Sequence, residues 1–442
     1  MFESNQAGQI AVPAPSVAPD RRNPDRRSSW LVLGLLFLLT VIMFVARQAL
    51  PIIMAFDLRS RLGISPFGYG LIVSALGLGM MTGEFPVGRL MDKLGARRGL
   101  SIAIAWWSTA TGSLALASLG LELAIAHLWI SIQLGFSQFW KGTGECGAYS
   151  GGVKTINRLF EKKDRTLAIG IFNGGSVIGA TLAPPVLLFL MQRYGASSGF
   201  LVPAFAGFLW IPLWWLLFRR GPQAPAVAAA PQISFVQMMG RSSSWAIMLC
   251  RFFIGPVMQF YWYWMPLYFN DARHWSLKQF GFLGWIPYLM GDVGGIAGGW
   301  AAGVLLRRHV TVLNMRRTLM YGSALVCVSA MVVPLMKGIA APIIVMSIAI
   351  AADNFLSAHM FAAVTDLFPD EQVGRATGLT GIAGGLSGML FPWITGWLVG
   401  KFSYTPVFLL VGIMPLAGTI ALFAVARQYR FLDRPAPSPA QP

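Results

Sequence analysis

The chain has 442 residues, 55% of them hydrophobic and only 12% charged, with a formal charge of +17 at pH 7. A soluble domain of this length needs a more polar surface, so that class is excluded. Nucleic-acid binding needs a contiguous basic face, whereas these Lys and Arg residues sit in short breaks between apolar runs. The three cysteines, Cys146, Cys250 and Cys327, lie inside apolar runs with neither a disulfide framework nor metal-ligand spacing.

In chain order, residues 1–28 are rich in Pro and Arg and are expected to form a disordered cytoplasmic tail. Apolar runs of roughly 20 residues, the length of helix that crosses about 30 Å of hydrocarbon, follow near 30–56, 66–90, 99–119, 124–150, 166–191 and 199–218. The stretch 219–244, with Pro222, Pro225 and Pro231, reads as a flexible cytoplasmic linker. A second set lies near 245–269, 278–305, 318–336, 340–368, 376–400 and 404–426, before a polar tail at 427–442. The expected fold class is therefore an all-α membrane protein of twelve transmembrane helices, six in 29–218 and six in 245–426.

With the N-terminus placed inside, 24 of the 34 basic residues fall on the cytoplasmic side and seven on the other. Both termini are thus expected to be cytoplasmic. Arg47, Lys141 and Arg251 are the basic residues left inside spans. Glu161, Arg165, Gly174 and Gly175 recur at an offset of 210 as Glu371, Arg375, Gly384 and Gly385, so the two sets of six are a parallel repeat.

The second span ends in GRLMDKLGARR, residues 88–98. This matches the signature of the major facilitator superfamily between its second and third helices. The resemblance implies that Gly88 permits close helix approach, while Asp92, Lys93, Gly95 and Arg97 belong to a cytoplasmic charge lock that breaks as the halves rock. Further segments resemble the anion:cation symporter family of hexuronate and galactonate carriers: ARQAL at 46–50, GTGECGAYSGGVKTINRLF at 142–160, GIFNGGSVIGATLAPP at 170–185 and GPVMQFYWYWMPLYF at 255–269. The resemblance implies alternating access for a small organic anion, driven by the proton gradient and needing no cofactor. It also implies a multi-pass monomer of the bacterial inner membrane whose partners are the anion, protons and lipid, with no nucleic acid.

A charge near the bilayer centre is disfavoured by at least roughly 2.5–3.5 kcal/mol and is normally functional. Arg47, whose planar fork suits a carboxylate, is the expected substrate anchor, with snorkelling or pairing to a protein carboxylate as the alternative. Glu145 is the expected proton-coupling acid, and Lys141, one turn earlier on the same face, its charge partner or a static ion-pair mate. The family's acid before the arginine is here Ala46, which implies fewer protons per cycle. Gln138 stands where the family has an arginine, and Glu84 where it has a glutamine.

Glu84 and Asp353 are therefore further proton-coupling candidates, Asp353 as a replacement for the missing acid. Asn173, Ser176, Tyr261, Trp264 and His359 are expected to contact substrate. Phe260 through Trp264 form an unbroken aromatic run from which some rings are expected to face lipid. No nucleotide loop, nucleophile–base pair or metal cluster supports an enzyme. The alternatives are an organophosphate:phosphate antiporter, for which Arg251 stands too early in the seventh span, a proton-driven drug or cation exporter, and a non-transporting sensor.

Overall fold

A computed structural model describes residues 26–118, 127–218 and 235–426; positions 1–25 and 427–442 of the expected tails and 219–234 of the expected linker lie outside the described residues, whereas 26–28 already belong to the first helix and 235–239 and 242–244 of the linker are helical. Among the described residues, twelve long helices make up the fold. They are α1 (Arg26–Ile53, continued by a π turn at Met54–Leu58 and by Arg59–Leu62), α2 (66–94), α3 (96–118), α4 (His127–Leu159), α5 (Lys162–Tyr194) and α6 (Ser198–Leu217). Then come α7 (Ser242–Asp271), α8 (Leu277–Leu283 with Ile286–Arg307), α9 (Val312–Cys327, extended as a 3-10 turn to Leu335), α10 (Ala340–Leu367), α11 (Asp370–Lys401) and α12 (Thr405–Val425).

Local chemistry sets the boundaries. Gly95 separates α2 from α3 because its φ of +71° with ψ of 167° lies outside the helical region, where a side chain would be strained. Ser276 and Gln279 form a reciprocal capping box at the start of α8, and the Thr311 hydroxyl caps α9 by accepting from the Asn314 amide at 3.3 Å. Several helices outrun the apolar stretches, and Arg316, expected in a loop, is a buried residue of α9.

Among the described residues, ten helices are long and apolar enough to cross a membrane on composition alone. The remaining two are α4, with Lys141 and Glu145, and α7, with Arg251 and Gln259. α7 is enclosed by other helices along its aromatic run: all five residues Phe260–Trp264 are buried or half-buried. None faces lipid, which corrects the expectation for that run. A helix surrounded by protein has no lipid-facing side, so aromatic residues on every side of it find protein partners.

α1 begins and α12 ends on one face of the bundle, as an even number of alternating crossings requires. On the opposite face the two halves meet closely. α2 crosses α11 at glycines, where a Cβ on Gly77 would stand 2.7 Å from the Gly388 backbone, and the Tyr69 hydroxyl donates to the Tyr263 carbonyl at 2.6 Å. At the rim Arg59 donates to Asp271, which also accepts from the Tyr404 hydroxyl at 2.7 Å, so residues from α1, α7 and the α11–α12 turn share one carboxylate. Toward the terminal face contact thins. A Cβ at Gly88, Gly374 or Gly378 would meet open space, so Gly88 mediates no close approach here, contrary to expectation.

The rim pair is partly exposed, so its contribution is about 0.2–1 kcal/mol, a shift of up to roughly fivefold between closed and open forms of that face. In a background lacking Cys146, Cys250 and Cys327, a cysteine replacing buried Val73 on the face of α2 that meets α11 should react with a membrane-impermeant maleimide up to roughly fivefold faster when Asp271→Asn is added. The swapped pair Arg59→Asp with Asp271→Arg should return the rate toward the parent value. An unchanged rate in Asp271→Asn would show that the pair does not hold the face closed.

Candidate functional site

α1 presents Arg47 and α4 presents Lys141 and Glu145, one turn apart, into the interior of the N-terminal half. Arg47 Nε donates to Glu145 Oε2 at 3.0 Å, and Nη2 donates to the same oxygen. The other oxygen, Oε1, has Lys141 Nζ at 3.9 Å but no hydrogen bond. Lys141 instead donates to the Ala46 carbonyl at 2.7 Å. Arg47 is therefore the partner of Glu145, and Lys141 a neighbour tethered to the backbone of α1. All three side chains are buried.

The Arg47 guanidinium lies 4.6 Å from the ring centroid of Phe44 and 5.8 Å from that of Trp262 on α7. It stands where the two halves meet, with a ring from each half against it. Two cations and one carboxylate leave this cluster with a net positive charge in a low-dielectric setting, where an anion is the favoured visitor. Nothing in the sequence marks Phe44 for this role; its position one turn before Arg47 is the signal that was there to read.

The other expected residues scatter around this cluster. Asn173 accepts from the Tyr149 hydroxyl, and the Ser176 hydroxyl donates to the Asn173 carbonyl at 2.6 Å, so α5 and α4 share a polar seam that includes Tyr149, which was not anticipated. Tyr261 and Trp264 are fully buried, with the Tyr261 hydroxyl and the Trp264 indole N–H lacking partners. Trp264 meets Tyr69 edge-on at 5.0 Å in the closed seam between halves. Glu84 is exposed on α2 opposite Gly381 of α11 and stands apart from the Arg47–Glu145 contact.

In the signature loop, the Asp92 side chain lies outside the described residues and Lys93 is exposed. Arg97 donates to the Trp215 carbonyl at 2.6 Å and covers the Trp215 ring at 4.5 Å. Its partner belongs to α6 of the same half, so Arg97 makes no bond across the halves in this state.

The C-terminal half carries two clusters. His359 Nδ1 is 2.9 Å from Arg316 Nη1, and Arg316 Nε donates to Asp366 Oδ2 at 2.8 Å. His359 is thus engaged within its own half, a role concealed in sequence because Arg316 sits in a basic run typical of a loop. Asp353, midway along α10, is completely buried, and neither of its oxygens has a hydrogen-bond partner. Arg251, in the third turn of α7, lies within electrostatic reach of it.

The sequence profile of the major facilitator superfamily matches residues 36–358 and 313–442. The chain is 25% identical to a hexuronate transporter of Escherichia coli over 90% of this chain and 93% of that protein, and 26% identical to a hexuronate transporter of Bacillus subtilis over 91% and 94%. It is 22% identical to a D-galactonate transporter of Escherichia coli over 93% and 97%. Among solved structures it superposes on a bacterial homologue of the human lysosomal transporter Spinster. The TM-score is 0.67 with the inward-facing, unoccupied form, at 16% identity over 94% of this chain and 100% of that one. With the inward-facing, occupied form it is 0.69, at 16% identity over 92% and 99%. The profile spans more than half the chain and the fold agrees with it: this multi-pass membrane protein is a transporter, not an enzyme, and belongs to the major facilitator superfamily.

Proposed function

We propose that the chain is a proton-coupled symporter of sugar acids or related small carboxylates. The observation that carries this reading is the Arg47–Glu145 contact, in which an internal carboxylate occupies the guanidinium that a substrate carboxylate needs. The two acids compete for one fork of donors. While Glu145 is ionised it holds Arg47, and a proton on Glu145 removes the competing charge and releases Arg47 to the substrate. Loss of substrate and proton on the other side restores the ion pair, and the empty carrier returns with Arg47 paired to Glu145. Lys141, fixed on the Ala46 carbonyl, supplies positive potential without entering the competition.

Charged groups this deep are costly unless paired, which favours a cycle in which Arg47 always has an anion, from Glu145 or from the substrate. The names of the relatives support a sugar acid as that anion, and Tyr149, Asn173 and Ser176 supply hydroxyl and amide groups on the same half for its polyol chain. The excess of basic residues on the terminal side assigns that side to the cytoplasm. The closed rim then faces outward and the site opens inward, and a proton gradient directed into the cell makes uptake the direction of transport.

Replacing Arg47 by Lys keeps the charge but removes bidentate recognition. Affinity for a transported hexuronate or aldonate, read by calorimetry, should fall roughly tenfold to a hundredfold, matching about 1.5–3 kcal/mol for a hydrogen bond to a charged group. Wild-type affinity in the lysine variant would remove Arg47 from the site.

Glu145→Gln mimics the protonated acid permanently. Uphill uptake driven by a pH gradient should fall well below wild type, while exchange of labelled for unlabelled substrate continues, because exchange moves no net protons. Loss of both activities in a correctly folded variant would assign Glu145 to structure instead of coupling.

A further inference from the structure

The N-terminal acid–base pair has a counterpart in the other half. The repeat offset of 210 carries Arg47 and Glu145 to positions 257 and 355, which lie within two turns of Arg251 on α7 and Asp353 on α10. α7 and α10 hold in the second half the places that α1 and α4 hold in the first, and each pair of helices supplies one arginine and one carboxylate. The pairs differ in state. Arg47 is bonded to Glu145, whereas Asp353 is fully buried with both oxygens unbonded although Arg251 lies within electrostatic reach.

We propose that Arg251 and Asp353 form a second proton site, in which Asp353 carries a proton while the side chains stand apart and releases it to the cytoplasm as Arg251 closes on the carboxylate. This extends the proton-coupled reading above and rests on it for the direction of the cycle. An ionised carboxylate sealed from water with no donor is strongly disfavoured, whereas the neutral acid leaves far less charge unsatisfied.

Among the described residues, the titratable groups within electrostatic reach of Asp353 are Arg251 and Tyr261 on α7 and Cys327 on α9, and of these only Arg251 is a cation. The Arg251 guanidinium rests over Phe361 at 5.2 Å and against two glycines: a Cβ at Gly384 would stand 2.9 Å from Nε, and one at Gly255 3.6 Å from Cζ. One ring and two glycines hold it by shape, and among the described residues no hydrogen bond fixes it, so it can turn to Asp353. In the transfer the Asp353 O–H bond breaks, the proton leaves to cytoplasmic water, and Arg251 stays protonated throughout. Reloading from the outer side separates the pair again. With Glu145 this gives two protons per cycle, so a monovalent anion enters with one net positive charge.

Infrared spectroscopy of the purified protein at neutral pH tests the site without any substrate. The C=O stretch of a protonated carboxylic acid should be present in wild type, survive Glu145→Gln and disappear in Asp353→Asn. If the asparagine variant does not fold, Asp353→Glu should shift the band. A spectrum in which no band responds to substitution at Asp353 overturns the proposal.

The transport consequence is read in proteoliposomes with D-glucuronate as the probe and the potential clamped by potassium and valinomycin. An inside-negative potential should stimulate wild-type uptake several-fold, and Asp353→Asn should lose that stimulation while still following a pH gradient. Wild-type uptake indifferent to potential overturns the two-proton cycle. If D-glucuronate does not enter at all, the sugar-acid reading fails, and the infrared result alone decides on Asp353.

Discussion

The rest of this molecule is arranged around the difficulty of keeping charge inside a bilayer. Arg47, Lys141 and Glu145 sit together where no water shields them, and each is tolerable only because another group answers it: the carboxylate for the guanidinium, the Ala46 carbonyl for the ammonium. α4 and α7, the two long helices too polar to cross a membrane on composition alone, carry Lys141, Glu145 and Arg251, and α1 brings Arg47 to meet the first two. The same constraint supplies the mechanism. A charge that must always be answered can be answered by a visitor, and exchanging partners at Arg47 costs far less than leaving it bare.

Partner exchange is useful only if the site is open to one side at a time. The face opposite the termini is closed by backbone-close crossings at Gly77 and Gly388, by the Tyr69–Tyr263 hydrogen bond and by the shared Asp271 carboxylate at the rim. These contacts differ in kind. Glycine packing is rigid and directional, whereas a half-exposed ion pair is weak and easily solvated, so the rim can part before the packed seam does. Trp262 and Phe44, pressed on Arg47 from opposite halves, tie the state of the site to the relative position of the halves.

The two halves are related but not equivalent. Both place an arginine and a carboxylate on matching helices, yet only the N-terminal pair is bonded. A carrier built from a duplicated unit can hold one pair closed while the other is open, which lets two binding events be ordered in a cycle.

Much of this was legible in the sequence. Twelve apolar runs, a polar break near the middle, and glutamate, arginine and glycine recurring 210 residues apart define a duplicated helical membrane protein, because helix length and bilayer thickness leave no other reading. Arg47 and Glu145 stood out as charges inside apolar runs. What sequence left undecided was pairing. Lys141 is four residues from Glu145 and looked like its partner, but Arg47, 98 positions away, has the planar fork and the matching depth to take the oxygen. The aromatic run of α7 looked too continuous to be enclosed, since one strand of sequence does not show how many neighbours surround a helix. Composition and periodicity determine which segments enter the membrane, through the transfer cost of each residue. Only the tertiary structure decides which charges meet there, because that depends on the depth and rotation of helices that the chain brings together from distant positions.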